Sequence, residues 1–245
     1  MGDYIKGVRI SGDGNNVGSG GNTTTYTGRG SAEQEDAVPD GPPGQPRHGL
    51  YAFADIVGYS NFNARLQRDS QDYLVSLLDA GLAEAGVGPG QVTAQDQGDA
   101  RLLWFTVGID AGRVLAVMPR YLNEDLLARN QDMAPHAVMR VRLSFTMGTA
   151  APGSAGLTGA APIAAARLAN WRVFRNVMNA APQAQCGVII DDHLHAEYVR
   201  QGFRADLNPG DYAPVHVSQP DKGFEAAAWL KLFGYSSLQV SALLA

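Results

Sequence analysis

The chain has 245 residues, 45% hydrophobic and 18% charged, with a formal net charge of −5. That composition supports one sizeable core, and the net negative charge argues against a protein that wraps a nucleic-acid backbone, which needs a basic face. No apolar run approaches the roughly 18 residues of a membrane helix, and no apolar signal-peptide core stands near the N-terminus, so a soluble, cytoplasmic protein without membrane contact is expected. The single cysteine, Cys186, sits in the apolar run Cys186-Gly187-Val188-Ile189-Ile190. It reads as a buried small residue in a reducing compartment, with no intrachain disulfide to form.

In chain order, residues 1–48 are rich in Gly, Asn, Ser, Thr and Pro, and include Gly41-Pro42-Pro43-Gly44. Such a segment has too little to bury to offset its ordering entropy and reads as a flexible tail, or as the site of a short homotypic contact. Its Gly-x-Gly patterns precede no strand–helix unit and are no dinucleotide loop. The pattern changes at residue 49, where a folded domain is expected to run to 234, followed by a short C-terminal tail, 235–245. Leu50 to Val57 is apolar and bounded by Gly58, as in a buried strand. Asn61 to Ala85 carries apolar residues at helical spacing and stops at Gly86. Gln91 to Ala94 and Arg101 to Val107 read as strands around the turn Gln97-Gly98-Asp99. Asp110 to Arg129 is a second helix with Pro119 inside it. Val138 to Met147 alternates: Val138, Arg140, Arg142, Ser144 and Thr146 share one face of a half-buried strand. A Gly/Ala-rich loop to Ala161 precedes a third helix, Ile163 to Met178, with Trp171 and Phe174 as core or dimer contacts. Gly187 to Ile190 is a strand, Asp191 to Gln201 a short helix whose His193 and His195 face solvent. Val215–Val217 and Ala226–Leu232 form a closing hairpin. Hairpins mixed irregularly with helices make this α+β: a mixed or antiparallel sheet with flanking helices.

Two carboxylates end up near one another on this reading. Asp55 ends the first strand and Asp99 lies in the hairpin turn, and strand–helix–hairpin is a connection that can set the hairpin beside the first strand. Paired carboxylates there suit Mg²⁺ or Mn²⁺, hard cations that take oxygen ligands and leave positions for phosphate oxygens. Aspartate is also common in turns, and spacing alone leaves both readings open.

Asp55-Ile56-Val57-Gly58-Tyr59-Ser60 resembles the first metal motif of the class III adenylate/guanylate cyclase family, and Gly98-Asp99 followed by Leu102-Leu103-Trp104-Phe105 resembles the second. Arg140 to Gly148 is similar to the family strand that ends in Gly. Gly159-Ala160-Ala161-Pro162-Ile163-Ala164-Ala165-Ala166-Arg167-Leu168 is similar to the family's arginine helix, and Asp221-Lys222-Gly223 to its Lys-Gly hairpin. The resemblance spans about 49–234 and implies a nucleotidyl cyclase domain with a ferredoxin-like core. It implies that Asp55 and Asp99, with the Ile56 carbonyl, hold two Mg²⁺ or Mn²⁺ ions per site, that Arg167 stabilises transition-state charge, and that Lys222 contacts terminal phosphates. It further implies a homodimer whose composite sites take aspartates from one subunit and the arginine from the other.

Two positions depart from the family pattern. Ile163 stands where the family has asparagine, and it cannot hydrogen-bond ribose or phosphate. Gln95 stands where the family reads the purine base with Lys or Glu, and Gln offers a donor and an acceptor together. The chain is most similar to the Pycsar-type pyrimidine cyclases, which implies a cyclic UMP or cyclic CMP product, a separate effector protein that senses it, and a role in antiphage defence. The alternatives are an inactive cyclase fold used as a binding or scaffold module, and a purine cyclase.

Overall fold

The structure, a computed structural model, describes residues 23–25, 45–154 and 156–245. Of the segment expected to be flexible, only 23–25 and 45–48 are described, and the rest of that expectation lies outside the described residues. Strand β1 is Thr23–Thr25 and β2 is Arg47–Ile56. Helix α1, Ala64–Glu84, starts where the Asn63 side chain accepts a hydrogen bond from the Leu66 N–H, satisfying a donor that has no partner inside the helix. Strands β3 (Val92–Asp96) and β4 (Ala100–Phe105) follow as a hairpin, then α2 (Ala111–Asn130), capped by Asp110. Next come β5 (Val141–Gly153), β6 (Gly156–Thr158), α3 (Ala160–Ala169), α4 (Arg172–Ala180) and β7 (Cys186–Asp191). The short α5 (Asp192–Leu194) leads into a π-helical turn, His195–Val199. Strands β8 (Ala213–Gln219) and β9 (Phe224–Leu232) and helix α6 (Ser237–Leu244) close the fold.

The described strands form one nine-stranded sheet in the order β1-β3-β4-β2-β5-β7-β9-β8, with β6 paired to β5. Only β5 and β7 are parallel neighbours. This is the α+β architecture expected, a mostly antiparallel sheet with flanking helices. No helix among the described residues is long and apolar enough to cross a membrane.

The central strand explains the layering. Successive side chains of a strand point to opposite faces, and β2 is apolar on both. Leu50, Ala52, Ala54 and Ile56 join the core under α1 and α2, with Leu103, Phe105, Leu143, Phe145 and Val188. Tyr51 and Phe53 face the other way, against Ala161, Ala165 and Ala169 of α3. A third cluster packs Phe174, Val177 and Met178 of α4 against Ile189, Leu230, Leu232 and Val240.

Several expectations needed correction. The polar face of Val138–Met147 is not exposed: Ser144 Oγ donates to the Ala165 carbonyl at 2.6 Å and Thr146 Oγ1 to that of Ala161 at 2.9 Å. The alanines of α3 let that helix approach closely enough to cover short hydroxyls, so the strand is buried on both sides. The strand also continues to Gly153 and folds back through β6, where a loop was expected. The expected third helix is two, broken where Trp171 adopts extended backbone and buries its indole. No Gly or Pro marks the break, so the sequence periodicity runs through it. The C-terminal residues expected as a tail form α6, with Ser236 and Gln239 in a capping box and Val240 fully buried. His195, expected at the surface, is 3% exposed and stacks on Trp229 at 3.6 Å; burial lowers its imidazole pKa. His193 stays exposed.

Gly187 sets how close α4 lies to the sheet. A Cβ there would meet Met178 Sδ at 2.6 Å, Phe174 Cε2 at 2.8 Å and Leu232 Cδ2 at 2.9 Å. Gly187→Ala is therefore expected to destabilise the protein by about 1–3 kcal/mol, the usual cost of overpacking a filled core. Urea denaturation checks this, and an unchanged midpoint would mean that α4 is not seated tightly on β7.

Candidate active site

Two neighbouring strand ends bring the first pair of candidate residues together. On the β2–β4 ladder Asp55 stands opposite Ala100, and the Ile56 N–H donates to the Asp99 carbonyl at 3.1 Å. Asp99 therefore sits beside Asp55 at the tip of the β3–β4 hairpin. Both turns bordering the site need left-handed backbone, which glycine adopts without penalty: Gly58 has φ 70° and Gly98 has φ 75°. Asp55, Ile56 and Asp99 line a cleft of about 430 Å³, with Arg142, Asn170 and Arg175 among its other walls. The Ile56 side chain is in the core under α1 and α2, so its main chain is what it offers to the cleft.

Asp55 is not a free ligand. It faces Arg142 in register across β2 and β5. Arg142 Nη2 donates to both carboxylate oxygens, at 2.5 and 2.6 Å, and Nε to one of them at 3.2 Å. The two side chains are 6% and 5% exposed. Burial pushes the Asp55 carboxyl above the usual range, the Arg142 guanidinium opposes that shift, and the negative charge of Asp99 adds to it. Two carboxylates and a main-chain carbonyl are the hard oxygen donors that Mg²⁺ or Mn²⁺ takes, and the like charges of Asp55 and Asp99 raise the demand for a cation. A divalent ion at Asp55 would share its carboxylate with Arg142. Among the described residues no three His, Cys, Asp or Glu side chains group to hold a metal, so the remaining coordination would come from main chain, water and substrate.

The other expected site residues lie elsewhere. Arg167, on α3, holds its guanidinium 5.3 Å from the centre of the Phe224 ring, and its carbonyl accepts from Gln219 Nε2 at 2.7 Å. Lys222 is exposed in the turn Pro220–Lys222 between β8 and β9. These two gather at one end of the β8–β9 hairpin, and neither lines the cleft. Gln95 is on β3, opposite Leu102 and Thr23, with its side-chain amide against Gly156 of β6. Ile163 lies one turn before Arg167 on α3 and is 48% exposed. One chain thus assembles Asp55, Ile56 and Asp99, assembles Arg167 and Lys222 at a second place, and leaves Gln95 at a third.

Sequence reasoning missed Arg142, Asn170, Arg175 and Asn179, all of which line the cleft. Arg142 had a signal: an arginine on an alternating strand that pairs with the strand carrying Asp55. The other three come from the α3–α4 break and from α4, and no local motif marks them.

No family model matches the sequence, and no curated protein matches it. Among solved structures, a crystal structure of an adenylate/guanylate cyclase/hydrolase from Silicibacter pomeroyi is similar with a TM-score of 0.56 at 18% identity, covering 78% of this chain and 99% of that one. The adenylyl cyclase CyaB from P. aeruginosa is similar at 0.54 and 12% identity, over 78% and 96% of the two chains. The guanylyl cyclase Cya2 is similar at 0.53 and 13% identity, over 80% and 99%. Covering nearly the whole of each of these proteins, the chain has the fold of the adenylyl and guanylyl cyclase domains.

Proposed function

We propose that this protein is a nucleotidyl cyclase that converts a pyrimidine nucleoside triphosphate, UTP or CTP, into a 3′,5′-cyclic nucleotide and pyrophosphate. The observation that carries this reading is the placement of Asp55 beside Asp99 in one polar cleft of a cyclase-type fold. Asp55, Asp99 and the Ile56 carbonyl would hold two Mg²⁺ or Mn²⁺ ions, and bound there the ions would supply activation of the ribose 3′-hydroxyl and neutralisation of the triphosphate. Arg142 opposes the burial that disfavours the ionised Asp55 carboxylate and fixes its direction. Arg167 offers a guanidinium fork to phosphoryl oxygens as charge builds in the transition state, and Lys222 binds the terminal phosphates.

Because Arg167 and Lys222 stand apart from the cleft in one chain, the reading requires a homodimer in which the aspartates of one protomer work with the arginine and lysine of the other. Gln95, in the place where purine cyclases carry a purine-reading residue, supports a pyrimidine base, as does the similarity to Pycsar-type enzymes. In that setting the cyclic product is a second messenger for a separate effector protein in antiphage defence, within the cytoplasm. A second reading, an inactive cyclase fold used as a binding module, is favoured by Ile163, an exposed apolar side chain one turn from Arg167. Incubation with Mn²⁺ and each of the four ribonucleoside triphosphates, with products read by mass, separates the two: product from none of them supports the binding module.

Asp99→Asn is expected to cut turnover by more than the roughly 10–100-fold that losing an outer partner of a metal ligand costs, with folding intact. Asp55→Asn is expected to lose activity and also about 3–5 kcal/mol of stability, because it leaves the buried Arg142 uncompensated. Turnover with Mn²⁺ and thermal unfolding measure both, and near-normal turnover in Asp99→Asn rules out the two-ion assignment.

Mixing inactive Asp99→Asn, whose fold is expected to be intact, with inactive Arg167→Ala is expected to restore part of the activity, since one site of each heterodimer is then intact. If subunit exchange is demonstrated and no activity returns, the composite site is wrong.

Product from UTP or CTP is expected to exceed that from ATP or GTP by about ten- to a hundredfold, since a mismatched base leaves buried polar groups unpaired at about 1–3 kcal/mol each. Gln95→Lys or Gln95→Glu should erode the preference. A wild-type enzyme that prefers a purine triphosphate overturns the pyrimidine assignment and leaves cyclisation standing.

A further inference from the structure

Helix α4 adds a basic wall to the cleft. Phe174, Val177 and Met178 turn into the core, and Arg175 and Asn179, four residues apart and so on one helix face, are exposed and line the cleft that holds Asp55 and Asp99. The helix is firmly seated. Arg140 Nη1 donates to the Met178 carbonyl at 2.6 Å and to that of Ala181 at 3.4 Å, a cation on the carbonyl end of a helix, where it is favoured. Arg140 is tied to the Asp55 segment in turn, since its own carbonyl accepts from the Val57 N–H at 2.9 Å. Arg175 is steadied by Asn170, whose side-chain oxygen accepts from Arg175 Nη2.

Arg175 is not needed to neutralise Asp55, whose two oxygens already accept from Arg142. It forms no ion pair among the described residues, and four of the five N–H donors of a guanidinium remain for another acceptor. Its charge nonetheless reaches Asp55 across the cleft and favours the ionised carboxylate. A bare divalent cation at the aspartates would be repelled by a guanidinium in the same cleft. A cation that carries a polyphosphate would not, because the acidic wall takes the metal and the basic wall takes phosphate oxygens.

We propose that Arg175, positioned by Asn170 and flanked by Asn179, binds the phosphates of a nucleoside triphosphate from the same protomer that supplies Asp55 and Asp99. This inference rests on the cyclase reading. The test measures equilibrium binding, without turnover, of each of the four 3′-deoxynucleoside triphosphates with Mn²⁺, and of the matching 3′-deoxynucleoside monophosphates, to the full-length protein. Arg175→Ala is expected to weaken triphosphate binding by about ten- to a hundredfold, the range for losing charge-assisted hydrogen bonds, and monophosphate binding far less. Arg175→Lys should recover part of the loss. Arg120→Ala, which removes an exposed charge from α2, outside the cleft, should bind like wild type. Wild-type affinity in Arg175→Ala, or an equal loss for mono- and triphosphates, overturns the proposal while the cyclase reading stands. A wild-type protein that binds none of the four triphosphates overturns both.

Discussion

A carboxylate and a guanidinium buried together in the middle of a sheet each cost several kcal/mol to dehydrate, and their attraction repays that cost only if the geometry is held from all sides. Asp55 and Arg142 meet that condition by being register partners on β2 and β5, the two strands at the centre of the sheet. The face they share is closed by α3, whose main-chain carbonyls take the Ser144 and Thr146 hydroxyls two and four residues along the same strand. The pair therefore fixes the strand register, and a slip of one residue in either strand would carry its charge to the apolar core under α1 and α2 and leave the other charge unpaired.

The same period of two organises the cleft. Arg140, two residues before Arg142, anchors the carbonyl end of α4 and receives the Val57 N–H. One short stretch of chain thus holds the Asp55 carboxylate from one side and positions the wall opposite it. With Asp99 fixed to Ile56 by a main-chain hydrogen bond, the acidic and basic walls are parts of one rigid frame. The Arg167 and Lys222 end of the molecule is built separately, around Phe224 and Gln219, which is why a second copy of the chain is the natural complement to the cleft in the proposed mechanism.

Much of the fold was legible because its signals are local. The β2 strand is a continuous apolar run, α1 shows helical spacing that stops at Gly86, and the Gln97-Gly98-Asp99 turn needs the positive φ that Gly98 supplies. The closeness of Asp55 and Asp99 was legible as a possibility from connection order alone. Less legible were features that depend on what packs on top. The break at Asn170–Trp171 follows from the gain in burying Trp171, the extension of β5 from pairing with β6, and the burial of His195 from stacking on Trp229. None of these partners is a sequence neighbour.

By itself the amino-acid sequence determined most of the element types from β2 to β9, the apolar faces of β2 and α1 and the strand-end and turn positions of the two aspartates, since these follow from side-chain periodicity and turn chemistry over a few residues. Only the tertiary structure decided that Asp55 is paired with Arg142, that Arg175 and Asn179 share its cleft, and that Arg167, Lys222 and Gln95 do not. Those outcomes depend on strand register and on how closely α3 and α4 approach the sheet. Register and approach are set by contacts between residues far apart in the chain, with Gly187 allowing α4 to close on β7 and α3 supplying the alanine face that covers a polar strand.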